Sequence, residues 1–444
     1  MLHRLRGSCR EATEGAFGHL HLRRPCGLSA SVAFLSAARR GFLVAQPRRA
    51  ILPPAPSVQL APRPADRLAG LDLLRAAAIA WVMIYHASLF DLVSGEPWIV
   101  KFGWMGVDLF FALSGFLIAG QLLRPWAGGS TPDYRRFLVR RLLRTLPAYF
   151  AVLAIYVLLP DARDRPDLLP LWRFLTFTQN LGLAPDPPKA FSHAWSLCVE
   201  EQFYLALPAA VILVAPRATA RRVATALAAV LVLGLALRGW FWLHDVAQRP
   251  FDPWAAPRAG RYMTYIYYPT WTRLDGLLAG VAAATVQTFR PTWWARLTAR
   301  CNLVLLCGAL GVVAASFAFG GQIGGLFAAT LGFPLIALSM GLLVIGASAS
   351  SSIASKLAAP GVGALATGAY SLYLSHKIVF HYVARAAVGW SPELRGLAAP
   401  IALTGALIAG AVLYLAVERP FLRLRDRLAQ RRRVIAMEPA AAGE

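Results

Sequence analysis

From residue 66 onward the chain is dominated by apolar stretches, each about twenty residues long, which recur too often for a water-soluble core to absorb them. Their approximate extents are 71–91, 103–123, 137–159, 194–215, 223–243, 266–288, 301–319, 324–346, 362–387 and 397–417. At 1.5 Å per helical residue, each crosses a hydrocarbon core of ~30 Å. With 57% hydrophobic and only 15% charged residues, the composition excludes a soluble globular protein of this size. The expected fold is all-α, a polytopic membrane helical bundle of about ten transmembrane helices.

Residues 1–65 differ from the rest of the chain. They are rich in Arg, Ser, Ala and Pro, carry only Glu11 and Glu14 as acids, and contain no spanning stretch. This segment reads as a disordered basic leader, followed by a transmembrane domain over 66–427 and a tail over 428–444.

The net charge of +23 comes from arginine clusters set between apolar runs. RPWAGGSTPDYRRFLVRR, PRATARR, RPTWWARLTAR and RPFLRLRDRLAQRRR all fall on one side if the spans alternate. That bias places both termini and the tail in the cytoplasm, and it accounts for the basic charge without a nucleic-acid partner. The five cysteines have neither CxxC nor Cys/His ligand spacing, so no disulfide framework and no metal site is expected.

Polar residues inside apolar spans carry the functional signal, because each needs a partner or a wet cavity. In LDLLRAAAIAWVMIYH, Arg75 and His86 lie eleven residues apart, about three helical turns, on one face with ~16 Å between them. Arg75 can pair with Asp72 and snorkel, or it can serve a substrate. His86 is either a core histidine or a base suited to removing a hydroxyl proton. Asp108, in GWMGVDLFFALSGFLIAG, needs a cationic or donor partner, whereas Ser114 and Gly115 read as helix-packing residues.

Further along, Arg136, Arg140 and Arg144 form an i, i+4, i+8 stripe with Arg141 beside it. Such a stripe either anchors the span at a membrane face or cradles phosphates, which guanidinium forks bind bidentately. FSHAWSLCVEEQFYLALP sets Ser196 and Glu200 on one helix face, with Glu201 and Tyr204 about a hundred degrees away. Arg273 with Asp275, and His376 with Lys377, either contribute to a substrate path or serve interhelical pairing and interface anchoring, and are not read as catalytic groups.

Taken in order, LDLLRAAAIAWVMIYH, GVDLFFALSGFLI, RLLR, WSLCVEEQFYL, TRLDGLLAGV, YSLYLSHKIVF and ERPFLRLR resemble the acyltransferase family 3 integral membrane O-acyltransferases, over roughly residues 66–427. The family's R-x10-H motif falls on Arg75 and His86, its RxxR motif on Arg141 and Arg144, and its acidic motif on Trp195, Ser196, Glu200 and Glu201. Leu73 departs from the usual glycine there, and with so few residues after ERPF a stand-alone member without an esterase-type domain is expected.

The resemblance implies transfer of an acyl group, acetyl by family frequency, from acyl-CoA to a hydroxyl of a glycan, glycolipid or related acceptor. It implies a bacterial inner (plasma) membrane, with acyl-CoA as donor substrate and no permanently bound cofactor. On this reading His86 is the general base, with Glu200 or Asp108 orienting it or binding the acceptor, and Arg75 or Tyr85 available to the oxyanion. Arg140, Arg141 and Arg144 hold the CoA phosphates, and Trp195, Ser196 and Glu201 contact substrate. The rival class is a multi-span transporter using the same buried charges as a substrate or proton path.

Overall fold

A computed structural model describes residues 68–93, 95, 97–214, 219–248, 257–320 and 325–441, all within the unit Ala50–Glu444. The leader expected over 1–65 lies outside the described residues. Within them the chain is helical: α1 Ala69–Ser88, α2 Gly106–Ala127, α3 Tyr134–Leu158, α4 Trp195–Val214, α5 Ala220–Phe241 and α6 Asp275–Phe289. Next come α7 Pro291–Ala299, α8 Cys301–Gly320, α9 Phe333–Ala347, α10 Pro360–Ala387, α11 Ala398–Leu413 and α12 Arg419–Ala441.

Eight helices among the described residues are long and apolar enough to cross a membrane. Two expected spans depart from that pattern. The stretch 266–288 becomes α6, only 15 residues or ~22 Å long, preceded by turns around Pro269 and pinned at its first residue by an ion pair. The stretch 362–387 becomes the 28-residue α10, which carries His376, Lys377, His381 and Arg385 and owes its place to packing rather than apolarity. The tail from 428 to 441 continues α12 as helix.

The distribution of side chains is inverted relative to a soluble protein. Leu213, Phe317, Leu338 and Ile408 are exposed, while Arg238, Arg273, Asp275, His376 and Glu418 are buried. Exposed leucines cost nothing against lipid tails, whereas a buried guanidinium must find acceptors inside the bundle. Arg238 of α5 makes a fork to both Asp275 oxygens at 2.7 and 3.0 Å and also donates to the Thr272 carbonyl at 2.8 Å. Arg273 reaches Asp108 of α2 at 3.0 Å, with its guanidinium 4.3 Å from the centre of the Phe333 ring. Together these pairs fasten α6 to α5 and α2.

Close approach of α2 and α6 depends on glycine. A Cβ on Gly115 would run into the Leu277 carbonyl, and one on Gly280 into the Ala112 carbonyl. Helix α1 packs against α2 and α10, and these three helices share the site with α3 and α4.

Candidate active site

Helices α1, α2, α3, α4 and α10 enclose a cavity of about 340 Å³. Its lining includes Arg75, Arg140, Arg141 and Arg144 together with Ser114, Ser196, Glu200, Glu201 and Tyr204. Tyr204 Oη donates to Glu200 Oε2 at 2.5 Å. Its single hydrogen is thereby used, so in the short contact between Ser114 and Tyr204 it is the serine hydroxyl that donates. The Arg141 guanidinium lies 5.2 Å from the centre of the Tyr204 ring. Tyr204, read from the sequence as turned away from Glu200, is four residues on and so on the same face of α4, and Glu201 lines the cavity as well. Ser114, expected to serve helix packing, lines the same cavity.

His86 opens on a different space. A second cavity of about 190 Å³ is bounded by Tyr85, His86, Trp104, Trp195, Tyr267 and Tyr268, with Arg165, Lys189 and Lys377 as its charged lining. The segment between α3 and α4 contributes part of that boundary, including Leu183, Pro185 and Pro188. Val107 of α2 and Tyr373 of α10 line both cavities and form the partition between them. Arg75 and His86 therefore share a face of α1, yet they serve opposite sides of this partition.

The hydrogen bonds around His86 fix its tautomer. His376 Nδ1 lies 2.8 Å from the Tyr373 carbonyl and 3.2 Å from that of Leu372. Carbonyls only accept, so His376 carries its proton on Nδ1 and presents a bare Nε2. His86 Nδ1 stands 2.7 Å from that Nε2 and must be the donor. The remaining nitrogen, His86 Nε2, thus holds a lone pair, the state a general base needs. The two ring planes are within 17° of parallel with centroids 4.9 Å apart, and His193 lies edge-on to both at 6.2 and 5.3 Å.

This arrangement corrects several assignments drawn from sequence. Asp108 and Glu200 do not orient His86: the first is occupied by Arg273, and the second belongs to the other cavity with Tyr204. The orienting bond comes from His376, which its sequence surroundings mark only as an anchoring or substrate-path residue. Trp195 and Ser196, adjacent in sequence, are divided by the partition: Trp195 faces the histidine cavity, and Ser196 the arginine cavity, where its hydroxyl is 2.8 Å from Tyr373 Oη. Arg75 pairs with Asp72 at 2.9 Å, as its spacing allowed, while still lining the arginine cavity. His193 is not conspicuous in the sequence; its only signal there is its place two residues before Trp195 in a polar-rich span entry.

No solved structure matches the chain. Among curated proteins, the peptidoglycan O-acetyltransferase OatA of Listeria monocytogenes is 30% identical over 237 residues, covering 49% of this chain and 34% of that protein. YrhL of Bacillus subtilis, provisionally named a peptidoglycan O-acetyltransferase, is 31% identical over 49% of this chain and 33% of its own length. A provisionally named O-acetyltransferase of Staphylococcus aureus strain COL is 32% identical over 31% of this chain and 24% of its own. The matches thus span about a third or less of each relative's length. Residues 68–416, most of the helical bundle just described, match the family model for the acyltransferase domain, and the chain belongs to that acyltransferase family.

Proposed function

We propose that the protein is a membrane O-acyltransferase that takes an acyl group, in the simplest case acetyl, from acyl-CoA in the arginine cavity. The group passes to a hydroxyl of a glycan or lipid-linked glycan in the histidine cavity. The carrying observation is the chain from His86 through His376 to the Tyr373 carbonyl, which leaves a basic nitrogen on a cavity bounded by aromatic rings. Aromatic faces suit sugar rings, and the relatives' names point to a glycan. Arginine-lined walls suit phosphates, which supports acyl-CoA as donor. The basic loops that flank the arginine cavity favour the cytoplasmic side for it, where acyl-CoA is made, and the opposite face for the histidine cavity.

In the proposed step His86 Nε2 takes the acceptor hydroxyl proton as its oxygen attacks the thioester carbonyl carbon at the partition. Collapse of the tetrahedral intermediate breaks the C–S bond, and the proton on Nε2 passes to the departing thiolate. His376 keeps the Nδ1 proton of His86 in place throughout and acts as a positioning residue.

The test is transfer from radiolabelled acetyl-CoA to envelope glycans in membranes at matched expression. His86→Ala is expected to lower turnover by ~10²–10⁴-fold, the usual contribution of a general base. Wild-type turnover in that variant overturns the mechanism, and uptake of label without any covalent product points instead to transport.

A further inference from the structure

A third cavity of about 550 Å³ adjoins the arginine cavity and shares Arg75, Leu117, Arg144, Ala366 and Arg425 with it. Its far wall is the start of α12. Arg419, Leu422, Arg423 and Asp426 recur at i, i+3, i+4 and i+7, so one face of that helix is turned to the cavity. Five arginines line the space against three carboxylates. Each carboxylate has a partner: Asp72 has Arg75 at 2.9 Å, Asp426 has Arg425 at 2.8 Å, and Glu418 Oε2 has the Ser371 hydroxyl at 2.7 Å, whereas the buried Glu418 Oε1 has no hydrogen-bond partner among the described residues. Among the described residues no carboxylate is within ion-pair range of Arg144, Arg419 or Arg423.

We infer that this third cavity is the binding site for the phosphorylated nucleoside end of the donor, with Arg419 and Arg423 gripping a terminal phosphate. The inference rests on the acyl-CoA reading of the arginine cavity and extends it. Arg75 and Arg144, common to both spaces, stand where the nucleotide gives way to the narrower arm carrying the thioester. Two guanidinium groups one helical turn apart suit a phosphate monoester better than a neutral group of equal size. Anionic lipid headgroups offer the same phosphate chemistry, so the test must separate the two sources.

The experiment is isothermal titration of the full chain in nanodiscs of zwitterionic lipid with three probes: CoA, dephospho-CoA and adenosine 3′,5′-bisphosphate. Arg419→Gln/Arg423→Gln is compared with Arg427→Gln, which removes charge from an exposed position of the same helix that does not line the cavity. Wild type and the Arg427 variant are expected to bind CoA at least tenfold more tightly than dephospho-CoA. The double variant is expected to lose that preference and its affinity for the bisphosphate, while still binding dephospho-CoA. An unchanged preference in the double variant overturns the assignment. Binding of the bisphosphate but not of CoA to wild type keeps the phosphate site and removes acyl-CoA as donor; binding of neither removes both. Should the double variant differ from wild type only in nanodiscs containing phosphatidylglycerol, the cavity is a headgroup site and the inference fails.

Discussion

At the level of single residues, the proposed mechanism gives His376, a neutral imidazole, the place beside His86 that a carboxylate holds in a hydrolase triad, with one difference. His376 selects the tautomer but brings no negative charge to the imidazolium formed in the reaction. Its contribution should therefore lie in geometry and proton placement. His376→Gln retains an acceptor for the Nδ1 proton, and turnover within about tenfold of wild type is expected. With His376→Leu that acceptor is gone; kcat should fall ~10²-fold or more, with the acyl-CoA KM nearly unchanged, because the proposed donor site lies across the partition. Steady-state kinetics in membranes measure both, and equal losses in the two variants count against the tautomer argument. Sequence made His86 conspicuous because a histidine within an apolar span needs a partner or a wet cavity. It hid His376, since the two are 290 residues apart and only the packing of α10 on α1 makes them neighbours.

Among the elements, α6 shows how a short helix is held in an apolar bundle. Its first residue, Asp275, takes the Arg238 fork, and the neighbouring Arg273 takes Asp108. Removing one member strands a buried charge, so Arg238→Leu should cost roughly 3–5 kcal/mol, whereas the double replacement Arg238→Leu/Asp275→Leu should cost less than either single change. Thermal unfolding in detergent reads both. The α2–α6 crossing responds to volume instead: Gly280→Leu should abolish folded protein, because the side chain would occupy the place of the Ala112 carbonyl, while the exposed Gly361→Ala has open space and should be neutral. Size-exclusion profiles of fluorescent fusions distinguish these outcomes.

For the whole molecule, the governing feature is two cavities meeting at Val107 and Tyr373 rather than one continuous passage. On the proposed function, donor and acceptor would bind from opposite faces with only the reacting atoms brought together, which would limit access of water to the thioester. Val107→Trp should close the junction. Acyl transfer is expected to drop by at least tenfold with CoA affinity unchanged, whereas Arg141→Ala/Arg144→Ala should weaken CoA affinity while leaving the histidine cavity intact. A loss of CoA affinity in Val107→Trp would show that the two spaces are not functionally separate.

The periodicity of apolar stretches was enough to determine a helical membrane bundle, because no other secondary structure satisfies twenty consecutive backbone groups in lipid. The same apolar background exposed Arg75, His86, Asp108, Arg141 and Glu200, since desolvation makes a polar group there too costly to be incidental. What the sequence did not contain was their grouping. Side-chain direction within one helix follows from spacing, but which cavity a face opens on depends on the residues its neighbours insert. Val107 and Tyr373 divide α1 between two spaces, Arg273 takes Asp108, and His376 takes His86. Those choices are made by contacts between segments far apart in the chain, and they exist only once the helices have packed.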